Sequence, residues 1–348
     1  MRWSLVGFPL GVALGLLPIG EGTFQKLWFF PALGLGLILG AGGEVRTLLW
    51  HPKRMLWDLA QALAMGVGGA FLGGGLGLLM GWEGTRRAWL ALGMIGASAY
   101  VPHITPGRGG GLWGYAGNLV AWMALWTLSG NTAVSVALGV GLGISLELAY
   151  RISLPLVGAY APERGTRSVR VVLAAEGRGA SEVLLRFVGI SGTLVGAFLC
   201  YRLEADPLLV GGGAGLWWVN TTLRRYELLR WLQTFRSWTE GFALLVLGVL
   251  LVHESSAKAL TLGGLIGAGI CAGRLGGGVL ADLSFPLRIH PKLWLRRLPQ
   301  GPLALALAYQ AYLGEELLWG ATFAAGISLL FLLYRRGRFG MEVKGNKR

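Results

Sequence analysis

The sequence predicts an all-α polytopic membrane protein with about twelve transmembrane helices. Three observations predict it. The chain of 348 residues is 54% hydrophobic and only 14% charged, where a soluble domain carries nearer a quarter charged residues. Apolar runs long enough to approach a span of roughly 20 residues recur along its whole length. The basic residues fall mainly in alternate loops between those runs, which is the positive-inside pattern. Glycine, at 59 residues, is far above the usual ~7%. It follows no collagen period, and it suits helices that pack in lipid through close backbone contact. The 15 Trp suit a chain with two membrane interfaces to occupy.

Twelve segments read as spans: 4–19, 27–43, 55–81, 88–103, 111–129, 131–150, 184–203, 206–220, 241–253, 257–281, 299–314 and 316–334. Segments 206–220, 241–253 and 299–314 are short or weak. The loops sharing a side with the N-terminus hold Arg46, Lys53, Arg54, Arg164, Arg224, Lys292, Arg296 and Arg335 among others. The opposite loops hold only Lys26, Arg86, Arg87, Arg202 and Lys258. Losing one middle span would scramble that alternation, so the charges support an even count independently of hydropathy. The expected location is the cytoplasmic (inner) membrane, with both termini cytoplasmic. The net charge of +14 then reflects insertion topology and contact with anionic membrane lipid, and no nucleic-acid partner is expected.

Residues 1–150 form a first half of six spans and 184–334 a second, with 151–183 as a charged cytoplasmic linker and 335–348 as a short basic tail. Within 221–238, Leu223, Tyr226, Leu229, Leu232 and Phe235 recur at helical spacing between arginines. This predicts a basic amphipathic helix lying in the membrane interface. Halves of equal span count fit an internal repeat, parallel or inverted. Cys200 and Cys271 lie inside apolar runs without metal-ligand spacing and read as small apolar fillers. His51, His103, His253 and His290 form no ligand cluster, so no metal and no cofactor is expected.

Two spans look broken. One carries Gly93, Gly96, Ser98 and Pro102, and the other opens Pro299-Gln300-Gly301-Pro302. Proline removes a backbone donor and glycine permits unwinding. Paired breaks in two halves point to a transporter's binding site. Gly96, Pro102, Pro299 and Gly301 are the candidate break positions. Ionisable residues in spans are costly and therefore functional candidates. Arg274 sits inside the tenth span and Asn118 in the middle of the fifth. Together with Ser98 and Gln300 they are the candidate ion-pathway residues. Asp58 and Glu147 lie near cytoplasmic span ends and are expected to reach the interface, and Asp282 reads as a boundary residue. No H-E-x-x-H, G-K-[ST] or G-x-S-x-G pattern is present, so no enzyme is expected. Gly73-Gly74-Gly75 and Gly211-Gly212-Gly213 read as packing surfaces.

The order of segments resembles the membrane domain of the monovalent cation:proton antiporter-2 family, the Kef-type and sodium–proton exchanger group. The opening Val6-Gly7-Phe8-Pro9-Leu10-Gly11 is similar to that family's first glycine-rich span. Leu35 to Glu44 is similar to its "aGLE" span end, and the basic loop His51-Pro52-Lys53-Arg54 follows. Gly213-Ala214-Gly215, Asn220-Thr221-Thr222-Leu223 and Thr234-Phe235 match its next motifs in order. Gly273-Arg274-Leu275-Gly276-Gly277 resembles its basic span, and Leu298 to Leu305 its broken one. The resemblance implies an inverted five-span repeat, broken helices crossing at midplane, a homodimer, and rocking-type alternating access. It also implies a monovalent cation or proton as cargo, with the family's additional N-terminal span missing. One departure is serious. The family places an acidic residue in span five, and its carboxylate exchanges protons for cations. Here the aligned position is Asn118, and no carboxylate lies between Arg86 and Glu147. The basic residue is kept as Arg274, which leaves the site positive and open to a small anion as an alternative cargo. The expected function is secondary transport with altered or lost proton coupling. The alternative is a non-transporting antiporter scaffold that binds a lipid or a partner through 151–183 and 221–238.

Overall fold

The computed structural model describes residues 2–17, 21–42, 52–98, 112–156, 167–222, 225–253, 256–284, 302–311 and 315–327. Among the described residues each of the twelve apolar segments holds one helix. These are α1 (Arg2–Gly15), α2 (Glu21–Ala41), α3 (Pro52–Leu79), α4 (Arg86–Ala97), α5 (Leu112–Leu128) and α6 (Thr132–Leu156). The second half holds α7 (Arg167–Leu203), α8 (Pro207–Thr221), α9 (Arg225–His253), α10 (Ala257–Ser284), α11 (Pro302–Gln310) and α12 (315–327). Among the described residues six of them are long and apolar enough to cross a membrane: α2, α3, α6, α7, α9 and α10. The chain is an all-α, multi-pass membrane protein.

The short helices α4, α8 and α11 are enclosed by protein. Pro207 to Val210, Ala214, Trp218 and Val219 of α8 are buried, as are Ala304 to Ala308 of α11. A helix shorter than the bilayer is tolerated where neighbours cover its ends.

Helices pair through glycine. α3 lies against α10, α2 against α8, and α1 against α9. A Cβ on Gly68 of α3 would collide with the carbonyl of Gly273 on α10, and one on Gly273 with Gly68. Only a residue without a Cβ allows this approach. The glycine strings pack in the same way: Gly211 meets the backbone at Leu33, Gly212 the Trp122 ring and Gly74 the Trp89 ring, whereas Gly75 faces open space. Two hydrophobic cores result. One gathers α4, α5, α10, α11, α12 and the second half of α9. The other gathers α6, α7, α8 and the first half of α9. α2 serves both, with Trp28 and Leu35 on one side and Leu33 and Leu37 on the other.

Three readings change. The expected interfacial helix 221–238 and the short span 241–253 form one continuous helix, α9. One face of its first half is buried, with Leu228, Leu229, Trp231, Leu232 and Phe235 all inside the second core. Trp231 lies over Gly189 of α7, where a Cβ would strike its ring, and it stacks on Phe235 at 5.0 Å. That apolar stripe therefore faces protein and not lipid headgroups. Arg236, one of the arginines between which that stripe recurs, is buried and donates to Glu240 at 2.6 Å. Finally, the expected linker 151–183 is helical at both ends, because α6 continues to Leu156 and α7 starts at Arg167.

Candidate ion-pathway site

The site is built around the early stop of α4. Thr85 caps its start, the side-chain oxygen accepting from the Ala88 amide at 3.3 Å. The helix runs through Gly96 and Ala97 and stops at Ser98, whose backbone is extended (φ −64, ψ 144). The Ser98 amide still donates to the Met94 carbonyl, and its hydroxyl donates to the Ile95 carbonyl at 2.7 Å. A helix that stops leaves its last carbonyls without intrahelical donors and with a partial negative charge.

Arg274 of α10 meets that charge. Its Nη1 donates to the Gly96 carbonyl, to the Ser98 carbonyl at 2.5 Å and to the Ile95 carbonyl at 3.4 Å. The residue is 1% exposed, so it does not snorkel to an interface. A guanidinium presents a planar fork of donors, which suits several carbonyls converging on one point. Glycines of α3, the helix between, make the reach possible. A Cβ on Gly69 would lie 3.2 Å from Gly96 Cα of α4 and 3.7 Å from Arg274 Cγ of α10.

Asn118 is buried on α5, and α5 packs against both α3 and α4. An amide there offers an oxygen to a cation or a nitrogen to an anion, but it cannot carry a proton at any ordinary pH. Ser98 and Gly96 therefore share Arg274 as a partner, and Asn118 lies on the helix beside them. Gln300, Pro102, Pro299 and Gly301 fall outside the described residues. The helix that follows the second expected break, α11, starts at Pro302.

The other end of α11 borders a cavity of about 910 Å³ lined by Lys26, Arg87, Asn131, Arg202, Asp206 and Gln310. Lys26, Arg87 and Arg202, which the charge alternation assigns to one side, stand near ends of the helices α2, α4 and α7 and meet here in one cavity. Asp206 caps α8, accepting from the amides of Leu208 at 2.9 Å and Leu209 at 3.2 Å. Gln310 accepts from Trp28 Nε1 of α2 at 3.1 Å and also hydrogen-bonds Asp206. It thereby ties α11 to α2 and α8. Sequence reasoning missed both residues, although Asp206-Pro207 carries a helix-start signature that would have found the first.

Two carboxylates expected near span ends lie against protein. Asp58, expected at the interface, is 1% exposed. Asp282, expected at a boundary, accepts from Gln61 Nε2 at 3.1 Å. The available signal was the i, i+3 spacing of Asp58 and Gln61 inside an apolar run. Glu147 is buried too and pairs with half-exposed Arg151 at 2.6 Å. Among the described residues no group of three His, Cys, Asp or Glu is placed to hold a metal ion.

No protein-family model matches the chain, and no curated protein matches it in sequence. Among solved structures it is similar to the sodium proton antiporter MjNhaP1 from Methanocaldococcus jannaschii, with a TM-score of 0.54 and 14% identity. The likeness covers 94% of this chain and 91% of that one. The chain has the fold of a cation:proton antiporter. At that identity the likeness carries architecture alone, so the early stop of α4 and the Arg274 contacts must be judged on this chain's own residues.

Proposed function

We propose that this protein is a secondary membrane transporter that moves a monovalent cation or another small ion through the antiporter fold. Its proton coupling does not run through a carboxylate on α5. The observation that carries the reading is the buried Arg274 guanidinium held on the open carbonyl end of α4. A stopped helix and a buried charge are both expensive in a membrane, and a transport site is the usual reason to keep them. The proposal extends to a member of the antiporter-2 group, with an inverted repeat, rocking of one helix group against the other, and a homodimer in the cytoplasmic membrane with both termini inside. Ser98 and Asn118 would line the pathway beside Arg274, with Gln300 on the segment before α11.

The test is ion flux into proteoliposomes, measured for sodium, potassium and chloride, with and without a pH gradient. Arg274→Ala should lower the transported ion's flux by at least about tenfold, the effect of roughly 1.4 kcal/mol. Unchanged flux for every ion would remove the site. The missing α5 carboxylate also supports the alternative, a scaffold that binds lipid or a partner without transport. Wild-type protein that carries no flux, and whose melting temperature responds to lipid but to no ion, would favour it.

A further inference from the structure

The cavity at the end of α11 holds charges that membrane insertion does not explain. The loops that the charge alternation assigns away from the termini carry only Lys26, Arg86, Arg87, Arg202 and Lys258. The positive-inside rule works against cations on that side. Three of these five nevertheless line one cavity of about 910 Å³. Lys26 stands near the start of α2, Arg87 at the start of α4 and Arg202 at the end of α7. The fold brings them together, and no run of sequence does.

Like charges gathered in one place repel, and the cavity offsets them only in part. Its acidic lining residues are Glu204 and Asp206. Asp206 is buried, and its carboxylate is already engaged by the Leu208 and Leu209 amides and by Gln310. Among the described residues none of the three cations forms an ion pair with a carboxylate. Two of them rest on rings. Lys26 Nζ lies 5.9 Å from the centre of the Tyr201 ring, and the Arg202 guanidinium lies 5.4 Å from that of Phe198. A ring has no net charge, so it steadies a cation without neutralising it.

The same residues indicate a ligand class. A guanidinium fork matches two oxygens of one oxyanion, and an ammonium adds a point charge. Tyr201 and Phe198 belong to an exposed stripe of α7 that continues to Leu194 at helical spacing. Such a stripe, beside cations at the membrane edge, suits the acyl chains of an anionic lipid. Phe29 of α2 packs edge-on with Tyr201, their ring centres 5.6 Å apart, and both rings line the cavity. The stripe therefore runs into the cavity wall. We propose that Lys26, Arg87 and Arg202 form a binding site for a phosphate oxyanion, carried by a lipid headgroup or free in solution. Binding there needs no transport, so the site stands apart from the reading above.

The test uses the purified full-length chain in detergent. Its melting temperature is followed against sodium phosphate, with sodium chloride at matched ionic strength as the control. A second arm adds phosphatidylglycerol, with phosphatidylcholine as the control. A ligand bound by the folded state alone raises stability with its concentration. Wild-type protein should be stabilised beyond the control in at least one arm, and the arm that responds names the source of the phosphate. Lys26→Gln, Arg87→Gln and Arg202→Gln should each raise the half-saturating concentration at least about threefold, and the triple variant should lose the response. Arg86→Gln and Lys258→Gln, on the same side but outside the cavity lining, should leave it unchanged. All five side chains are exposed, so every variant should melt as wild type does in chloride. If the triple variant does not fold, the single variants decide. Phosphate also stabilises proteins by exclusion from their surface, and that effect would survive the substitutions. A response kept by the variants, a response lost equally in Arg86→Gln or Lys258→Gln, or no response in either arm would each overturn the site.

Discussion

Arg274 combines two roles that a single substitution can separate. It closes the carbonyl end of α4, and it places a positive charge in the middle of the bundle. Hydrogen bonds to a charged group contribute about 1.5–3 kcal/mol. Arg274→Met should therefore lower the melting temperature in detergent by several degrees, and Arg274→Lys should recover part of that loss while losing the fork geometry. Arg236 makes a different case. Arg236 and Glu240 are a buried pair one helical turn apart on α9. Removing one partner of such a pair strands the other, at about 3–5 kcal/mol. We expect Arg236→Ala to be severely destabilised in thermal unfolding. The double replacement Arg236→Met with Glu240→Leu should be milder, because neither charge is left alone. Both arginines are conspicuous in the sequence as charges in or beside apolar runs. Arg236 meets a partner four residues on, a spacing that the sequence shows, whereas what Arg274 touches lies more than 170 positions away along the chain, which no local pattern reports.

α3 and α10 are held together by glycine, and the site depends on how closely they approach. Gly68→Leu should collide with Gly273 of α10, costing about 1–3 kcal/mol or more through overpacking and lowering monodispersity in size-exclusion chromatography. Gly75→Ala on the same helix meets nothing within 4 Å and should melt at or slightly above the wild-type temperature, since alanine is the better helix former. If the two variants behaved alike, close backbone contact would not be what holds this pair. α9 shows where reading element by element fails. The period of 3.6 in 221–238 was legible, and an apolar stripe is present. Periodicity says that a stripe must be covered, but it does not say by what. Here α7 and α8 cover it, so a helix expected on the membrane surface became half of a span.

Across the whole molecule, the loop charges make a claim about topology that labelling can check. Lys26, Arg87 and Arg202 meet in one cavity. In a background with Cys200 and Cys271 replaced by alanine, cysteine at Lys26 or Arg202 should react with a membrane-impermeant maleimide in intact cells. It should be protected in inverted vesicles, and the opposite outcome would reverse the orientation. The sequence by itself determined the helical class, the twelve segments and the residues out of keeping with lipid, among them Asn118 and Arg274. It could do so because the bilayer requires every spanning segment to bond its own backbone and to be apolar, and both constraints act locally. Tertiary structure alone decided that Arg274 lies on the end of α4, that Asp58 is buried by protein, and that Gln61 reaches Asp282 across 221 positions of sequence. Those outcomes follow from which glycine faces meet, and helix faces choose their partners through packing between distant segments, where no local rule applies.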